Sequence, residues 1–147
     1  MANQILGFFD DYRFLSNFHE HPEVKITISG FAGLPIECKN VEAAFAASKT
    51  IDIEERTRIA ESKTPGEAKK MGRAVTLRPD WEAVKIDVML ELLTQKFSHP
   101  YYRDLLKATG DAYLEETNLW GDHWWGVCYG VGENHLGKLL MQIREVL

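Results

Sequence analysis

Residues 81–97, WEAVKIDVMLELLTQKF, carry the pattern that decides the fold. Trp81, Val84, Val88, Leu92 and Gln95 trace one stripe at helical spacing, and Lys85, Met89, Leu93 and Phe97 trace a second beside it. No proline or glycine interrupts the run, which predicts one long central helix. Upstream, Asn40 is an N-cap for a helix from Val41 to about Thr50, and Asp52 with Glu55 reads as a capping box for a second helix to about Ser62. Thr64-Pro65-Gly66-Glu67 opens a short third helix that stops near Gly72. Downstream, His99-Pro100 begins a helix ending at Gly110, and a last one runs from Glu133 or Asn134 to the C-terminus with Leu136, Leu139, Leu140 and Ile143 buried. Ile5–Phe9, Val24–Ile28, Leu34–Cys38 and Ala112–Glu116 read as short strands, the second and third joined in a hairpin through Ser29–Gly33. The expectation is a helix-dominant α+β fold in which about six helices pack a small antiparallel sheet, built as one domain over residues 1–147.

The 147 residues suit a single core, and 45% apolar with 27% charged residues excludes collagen-like, low-complexity and disordered chains. No apolar run approaches the ~20 residues of a membrane span. No basic leader precedes an apolar stretch, and Cys38 and Cys128 are too few for a disulfide framework or a four-ligand zinc site. A cytoplasmic, reduced protein with no metal and no cofactor is expected, its two thiols acting as small core residues. The net charge of -5 opposes a long nucleic-acid groove. Within that acidic chain, residues 49–73 hold seven lysines and arginines against five acids, which suits a local anion pocket or an ordinary solvated helix face. Neither a phosphate-binding GxxxxGK[ST] loop, nor GxGxxG after a strand, nor a Gly-x-Ser-x-Gly elbow is present.

Three segments hold more polar and aromatic material than folding needs. In Phe14-Leu15-Ser16-Asn17-Phe18, Ser16 and Asn17 offer donors and acceptors between rings, which suits a stacked heterocycle read at its edges or, equally, a turn whose aromatics are core. In Asn40–Lys49, Glu42, Phe45 and Lys49 share one helix face, with the acid and the amine roughly 10.5 Å apart along the axis. The surrounding alanines leave room for a pocket wall, and a charged outer face is the competing reading. In Trp120-Gly121-Asp122-His123-Trp124-Trp125-Gly126, rings stiffen a glycine-rich loop of the kind that binds ligands, and Asp122 among them is a candidate general acid. The alternative is that the tryptophans plug the base of the fold.

These segments recur in order with Pro65, Ala68-Lys69 and Gly72-Arg73; Arg78-Pro79-Asp80-Trp81 with Lys85 and Met89; Lys96-Phe97; Thr109-Gly110; and Gly132-x-Asn134-x-Leu136-Gly137 with Leu140-Met141 and Arg144. Taken together they resemble the NADAR, or YbiA-like, family over nearly the whole chain. Ala43, Ala44 and Phe45 depart from relatives that carry a histidine or tyrosine after the Val-Glu pair. The resemblance implies an N-glycosidase acting on a ribose-to-heterocycle bond. Its implied substrates are ADP-ribosylated guanine in DNA, RNA or a free nucleotide, or phosphorylated intermediates of riboflavin synthesis. A non-catalytic module that binds NAD or ADP-ribose is the rival. Read with that chemistry, Glu42, Lys49 and Asp122 are the catalytic candidates. Phe18, Trp124 and Trp125 would stack a base beside Ser16 and Asn17, and Phe14, Phe45, Trp120 and Gly126 would line the site. Lys69 and Arg73 would meet a phosphate, and Asn134, at the start of the last helix, a further anion.

Overall fold

The structure, a computed structural model, describes residues 3–147. In chain order it contains β1 (Gln4–Leu6), β2 (Ile26–Ser29), β3 (Pro35–Cys38), α1 (Val41–Ser48), α2 (Ile53–Ala60) and α3 (Pro65–Gly72). There follow α4 (Trp81–Ser98), α5 (Pro100–Ala108), β4 (Tyr113–Glu115), β5 (Thr117–Asn118), β6 (Val127–Cys128) and α6 (His135–Glu145), and short 3-10 turns occupy Asp10–Leu15 and Phe31–Gly33. The class is helix-dominant α+β, as expected. The small antiparallel sheet needs correction: the described strands form three two-stranded sheets, of which only β2–β3 is antiparallel. β1 pairs with β4, and β5 with β6, in parallel. A hairpin is signalled by its own turn residues, whereas a parallel pair has no tight turn to mark it.

The chain divides into two compact units, one of residues Asn17–Lys96 and one of residues 3–16 with 97–147. In the first, side-chain caps start the helices as the sequence predicts: Asn40 accepts from Ala43 N–H, Asp52 from Glu55 and Thr64 from Glu67. Glu55 does not close the expected box. Its carboxylate takes Thr50 Oγ1 at 2.8 Å and the Thr76 amide, while the Asp52 amide donates to Thr50 Oγ1. The hairpin is tied to α4 by Gln95, whose side-chain amide accepts from Thr27 N–H at 2.8 Å and donates to Thr27 O at 3.0 Å. An edge strand thus has its backbone groups paired without a third strand. In the other unit His99 caps α5, α6 lies against β4, and Gly110 ends α5 at φ 65°.

The buried face of α4 falls between the two predicted stripes. Trp81, Met89, Leu92, Leu93, Lys96 and Phe97 are buried, and Val84, Val88 and Gln95 are half-exposed. Lys96 stands three, four and seven residues beyond Leu93, Leu92 and Met89, so the helical period places an amine in the middle of the apolar face. Burial lowers its pKa to about 7. Cys38 is buried as well, and burial raises its thiol to about 11, which makes it an inert core residue.

Lys96 gives stability a defined pH dependence. An unfolded chain keeps this lysine protonated up to about 10.5, so between pH 7 and 10.5 the unfolded state holds more protons and stability rises with pH. Lys96→Met, which keeps the volume and removes the charge, is expected to be the more stable protein below pH 7, by on the order of a few kcal/mol. That advantage should shrink toward pH 10. Urea midpoints of both proteins across this range check it, and a pH-independent difference would contradict it.

Candidate active site

Within Asn17–Lys96 the site is built on α1. The helix is almost wholly buried, because Ala43, Ala44, Ala46 and Ala47 let neighbours approach from several sides. Glu42 and Lys49 are its half-exposed positions and lie on one face. Phe45, on that face by spacing, is not an open pocket wall. Its ring is buried against Trp81, with centroids 5.0 Å apart and planes tilted at 55°.

Four charged side chains converge electrostatically on α1 and α3. Lys49 lies below the ordinary lysine pKa, chiefly because burial penalises its charge. Glu42 opposes that shift, and Arg73 and Lys69 add to it. Lys69 and Arg73 reach this position because Gly72 lies on Ala46; a Cβ on Gly72 would stand 2.8 Å from that of Ala46. An amine whose charge is penalised by burial, beside a carboxylate and two cations, has the setting of a nucleophile.

Asn17 joins the same group. Its carbonyl accepts the Glu42 amide at 3.1 Å, its side-chain Nδ2 donates to Met89 Sδ at 3.6 Å, and its Oδ1 is buried with no hydrogen-bond partner. A buried acceptor left open at a polar site is a place for a ligand donor. Phe18, next in the chain, is exposed.

In the other unit the segment from Asn118 to Asn134 forms a loop with its own framework. Asn118, not singled out from the sequence, is buried and central to it: Nδ2 donates to Asp122 O at 2.9 Å and Oδ1 accepts from the Trp120 and Asp122 amides. Asp122 Oδ1 in turn accepts from Trp124 N–H at 3.1 Å and Trp125 N–H at 2.9 Å, so this carboxylate shapes the aromatic turn. Trp120 is 64% exposed, Trp124 lies over His135 with centroids 4.2 Å apart, and Trp125 meets the same imidazole edge-on. Gly126 is buried, and a Cβ there would overlap Glu116 O. It permits a close backbone approach and offers no side chain to a ligand.

Two other predicted positions in this unit have structural surroundings. Asn134, left-handed at φ 54°, turns its side chain away from the α6 amides. It accepts from Glu116 N–H and donates to Leu114 O and Tyr113 Oη, and the His135 and Leu136 amides at the start of α6 donate to Trp124 O and Trp125 O. Phe14 is buried and lines an apolar cavity with Ile5, Tyr12 and Leu105. Ser16 ends the first 3-10 turn, its amide bonded to Arg13 O.

Comparison with known proteins follows the same lines. A family model described as "NADAR domain" matches residues 7–147. N-glycosidase YbiA of Escherichia coli (strain K12) is 37% identical over 153 residues, covering 100% of this chain and 91% of that protein. The NMR structure of that E. coli protein matches with a TM-score of 0.80 over 99% of this chain and 86% of its own. N-glycosidase Npun_R5314 of Nostoc punctiforme is 42% identical over 85 residues, 56% of this chain and 54% of that protein. The chloroplastic riboflavin biosynthesis protein PYRR of Zea mays is 38% identical over 101 residues, 64% of this chain and 16% of that protein.

The cluster around Lys49 is measurable by titration. Lys69→Gln and Arg73→Gln should each raise the Lys49 pKa, and Glu42→Gln should lower it, as read by NMR of 13C-methylated lysine. Equal pKa values in all three variants would show that these charges do not act on the amine. Gly126→Ala tests the loop, and its expected cost is about 1–3 kcal/mol by urea unfolding.

Proposed function

The chain belongs to the NADAR domain family and is an N-glycosidase, and we propose that it releases ADP-ribose from ADP-ribosylated guanine in a nucleotide or nucleic acid, with Lys49 as nucleophile and Glu42 as proton donor. The observation that carries this reading is the Lys49 amine, lowered in pKa and set on one helix face with Glu42, beside Lys69 and Arg73. N-glycoside cleavage develops positive charge on the sugar and negative charge on the departing base, so it needs a carboxylate and a nucleophile, with cations for the phosphates of the substrate.

In this reaction Lys49 Nζ attacks the anomeric carbon, and the carbon–nitrogen bond breaks with its electron pair passing to the base. The attacking Lys49 nitrogen, now an ammonium, gives a proton to the Glu42 carboxylate, which passes it to the base nitrogen. The sugar C–O ring bond then opens, its oxygen is protonated, and an iminium forms between Lys49 and the open sugar. Water adds to that iminium and expels the lysine, returning free amine and ADP-ribose. Asn17 Oδ1 accepts a hydrogen bond from a base or ribose donor. Phe18, exposed in the same unit, is a surface for a base. Asp122 and Gly126 hold the aromatic loop in shape, and Phe45 supports α1 from within the core.

A second reading, cleavage of phosphorylated pyrimidine intermediates of riboflavin synthesis, is favoured by the similarity to the maize riboflavin biosynthesis protein. Both substrates carry phosphate and a ribose-derived carbon, which the same cations and amine would serve.

Incubation with ADP-ribosylated guanine DNA and, separately, with the riboflavin intermediates, followed by mass spectrometry, distinguishes them by the released fragment. Borohydride added during turnover should fix a covalent adduct on Lys49. Glu42→Gln is expected to lower kcat by about 10²–10⁴-fold, and Lys49→Arg by about 10³-fold or more. Full activity in Lys49→Arg without an adduct would sink the covalent route in favour of direct attack by water.

A further inference from the structure

The Arg78-Pro79-Asp80-Trp81 run has no step in the reaction above, yet it is seated on the end of the helix that carries Lys49. Lys49 is the C-terminal cap of α1, a place where backbone carbonyls lack helical partners. Three successive carbonyls there are taken by arginines. Ser48 O accepts from Arg78 Nη1 at 3.4 Å, Lys49 O from the Arg78 amide at 2.8 Å and Thr50 O from Arg56 Nε at 2.7 Å. A guanidinium in this position also suits the negative end of the helix dipole.

Arg78 is itself held firmly. Pro79 disfavours helical backbone at the residue before it, and Arg78 lies outside any helix with its N–H turned to Lys49 O. Its side chain forks onto Asp80, Nε to Oδ1 at 2.6 Å and Nη2 to Oδ2 at 3.0 Å. All three guanidinium nitrogens are thus bonded to protein acceptors, so Arg78 is a brace and not an open anion site. Its carbonyl accepts from Trp81 N–H at 3.2 Å, which ties the turn to the start of α4. The Trp81 ring packs on Phe45, one helical turn before Lys49. One short turn therefore grips α1 both at Phe45 and at Ser48–Lys49.

This grip bears on geometry and not on charge. The charges that act on the Lys49 amine are those of Glu42, Arg73 and Lys69. Attack by an amine requires the reacting atoms to stand about 3–3.5 Å apart, and a misplacement of about 1 Å can cost about 10²-fold in rate. A lysine side chain is flexible, so where its amine can reach depends on where its backbone is fixed.

We propose that Arg78, locked by Asp80, is a positioning residue for Lys49, fixing the backbone from which the amine approaches the anomeric carbon. This role rests on Lys49 being the nucleophile, as proposed above.

Steady-state kinetics test it on whichever of ADP-ribosylated guanine DNA and the riboflavin intermediates the unaltered protein cleaves. Arg78→Gln removes the fork. Asp80→Asn weakens it from a half-exposed position, where an ion pair contributes little to folding. Each should lower kcat about tenfold or more with KM unchanged, and Arg78→Lys, which keeps the charge without the fork, should be intermediate. In Asp80→Asn the amide of Arg78 should exchange faster with deuterium, because its bond to Lys49 O is loosened. The Lys49 pKa, read by NMR of 13C-methylated lysine, should stay at its value in the unaltered protein. Unchanged kcat in both Arg78→Gln and Asp80→Asn, in a protein that Lys49→Arg inactivates, would overturn the positioning role and leave Lys49 as nucleophile. A raised KM at constant kcat would replace it with direct contact between Arg78 and substrate, and a shifted Lys49 pKa would replace it with an effect of charge. A loss of kcat that only follows a lowered urea midpoint would reduce Arg78 to a stabiliser of the fold. Full activity of Lys49→Arg would remove the nucleophile and this role with it.

Discussion

The close approach of α1 and α3 at Ala46 and Gly72 is the contact on which the charge cluster around Lys49 depends. Two helices can come this near only where both present almost no side chain. Lys69 and Arg73 flank Gly72 on the sequence, so their charges arrive at Lys49 as a result of that fit. A larger residue at either contact would push α3 and its cations outward. The amine would then lose the repulsion that, with burial, lowers its pKa, while the attraction of Glu42 remained.

The same arrangement sets a local cationic patch in an acidic chain. A net charge of -5 opposes an extended polyanion, whereas a few cations gathered on one short stretch make a small positive surface. Part of the energetic cost of gathering them is offset locally by Glu42. Asn17 follows the same logic in neutral form, since its side-chain oxygen is buried without a partner beside the start of α1. Polar groups left short of partners in this way are costly in a folded protein unless a ligand completes them.

The parts legible from the sequence were those decided within a few residues. Asn40, Asp52 and Thr64 cap the helices they precede, and proline at the first position of α3 and α5 fits the same rule. Glu42 and Lys49 share a face because the helical period requires it. Where a side chain had to choose among partners, local reasoning failed. Glu55 took Thr50 and Thr76, Asn134 took the carbonyl and amide of neighbouring strand residues, and Phe45 went into the core against Trp81. Lys96 is the instructive miss, for its spacing from Met89, Leu92 and Leu93 already marked it as buried.

Helix positions, their starts and the acid–amine face thus follow from chain chemistry, because capping and periodicity act over one or two turns. Strand pairing, the charges that reach Lys49, the framework of Asn118 behind the tryptophans and the hold of Arg78 on the end of α1 were settled only in three dimensions. Each depends on which distant segment supplies the partner. Such choices are made by packing over the whole unit, where a single glycine against an alanine decides how near two charged helices can stand.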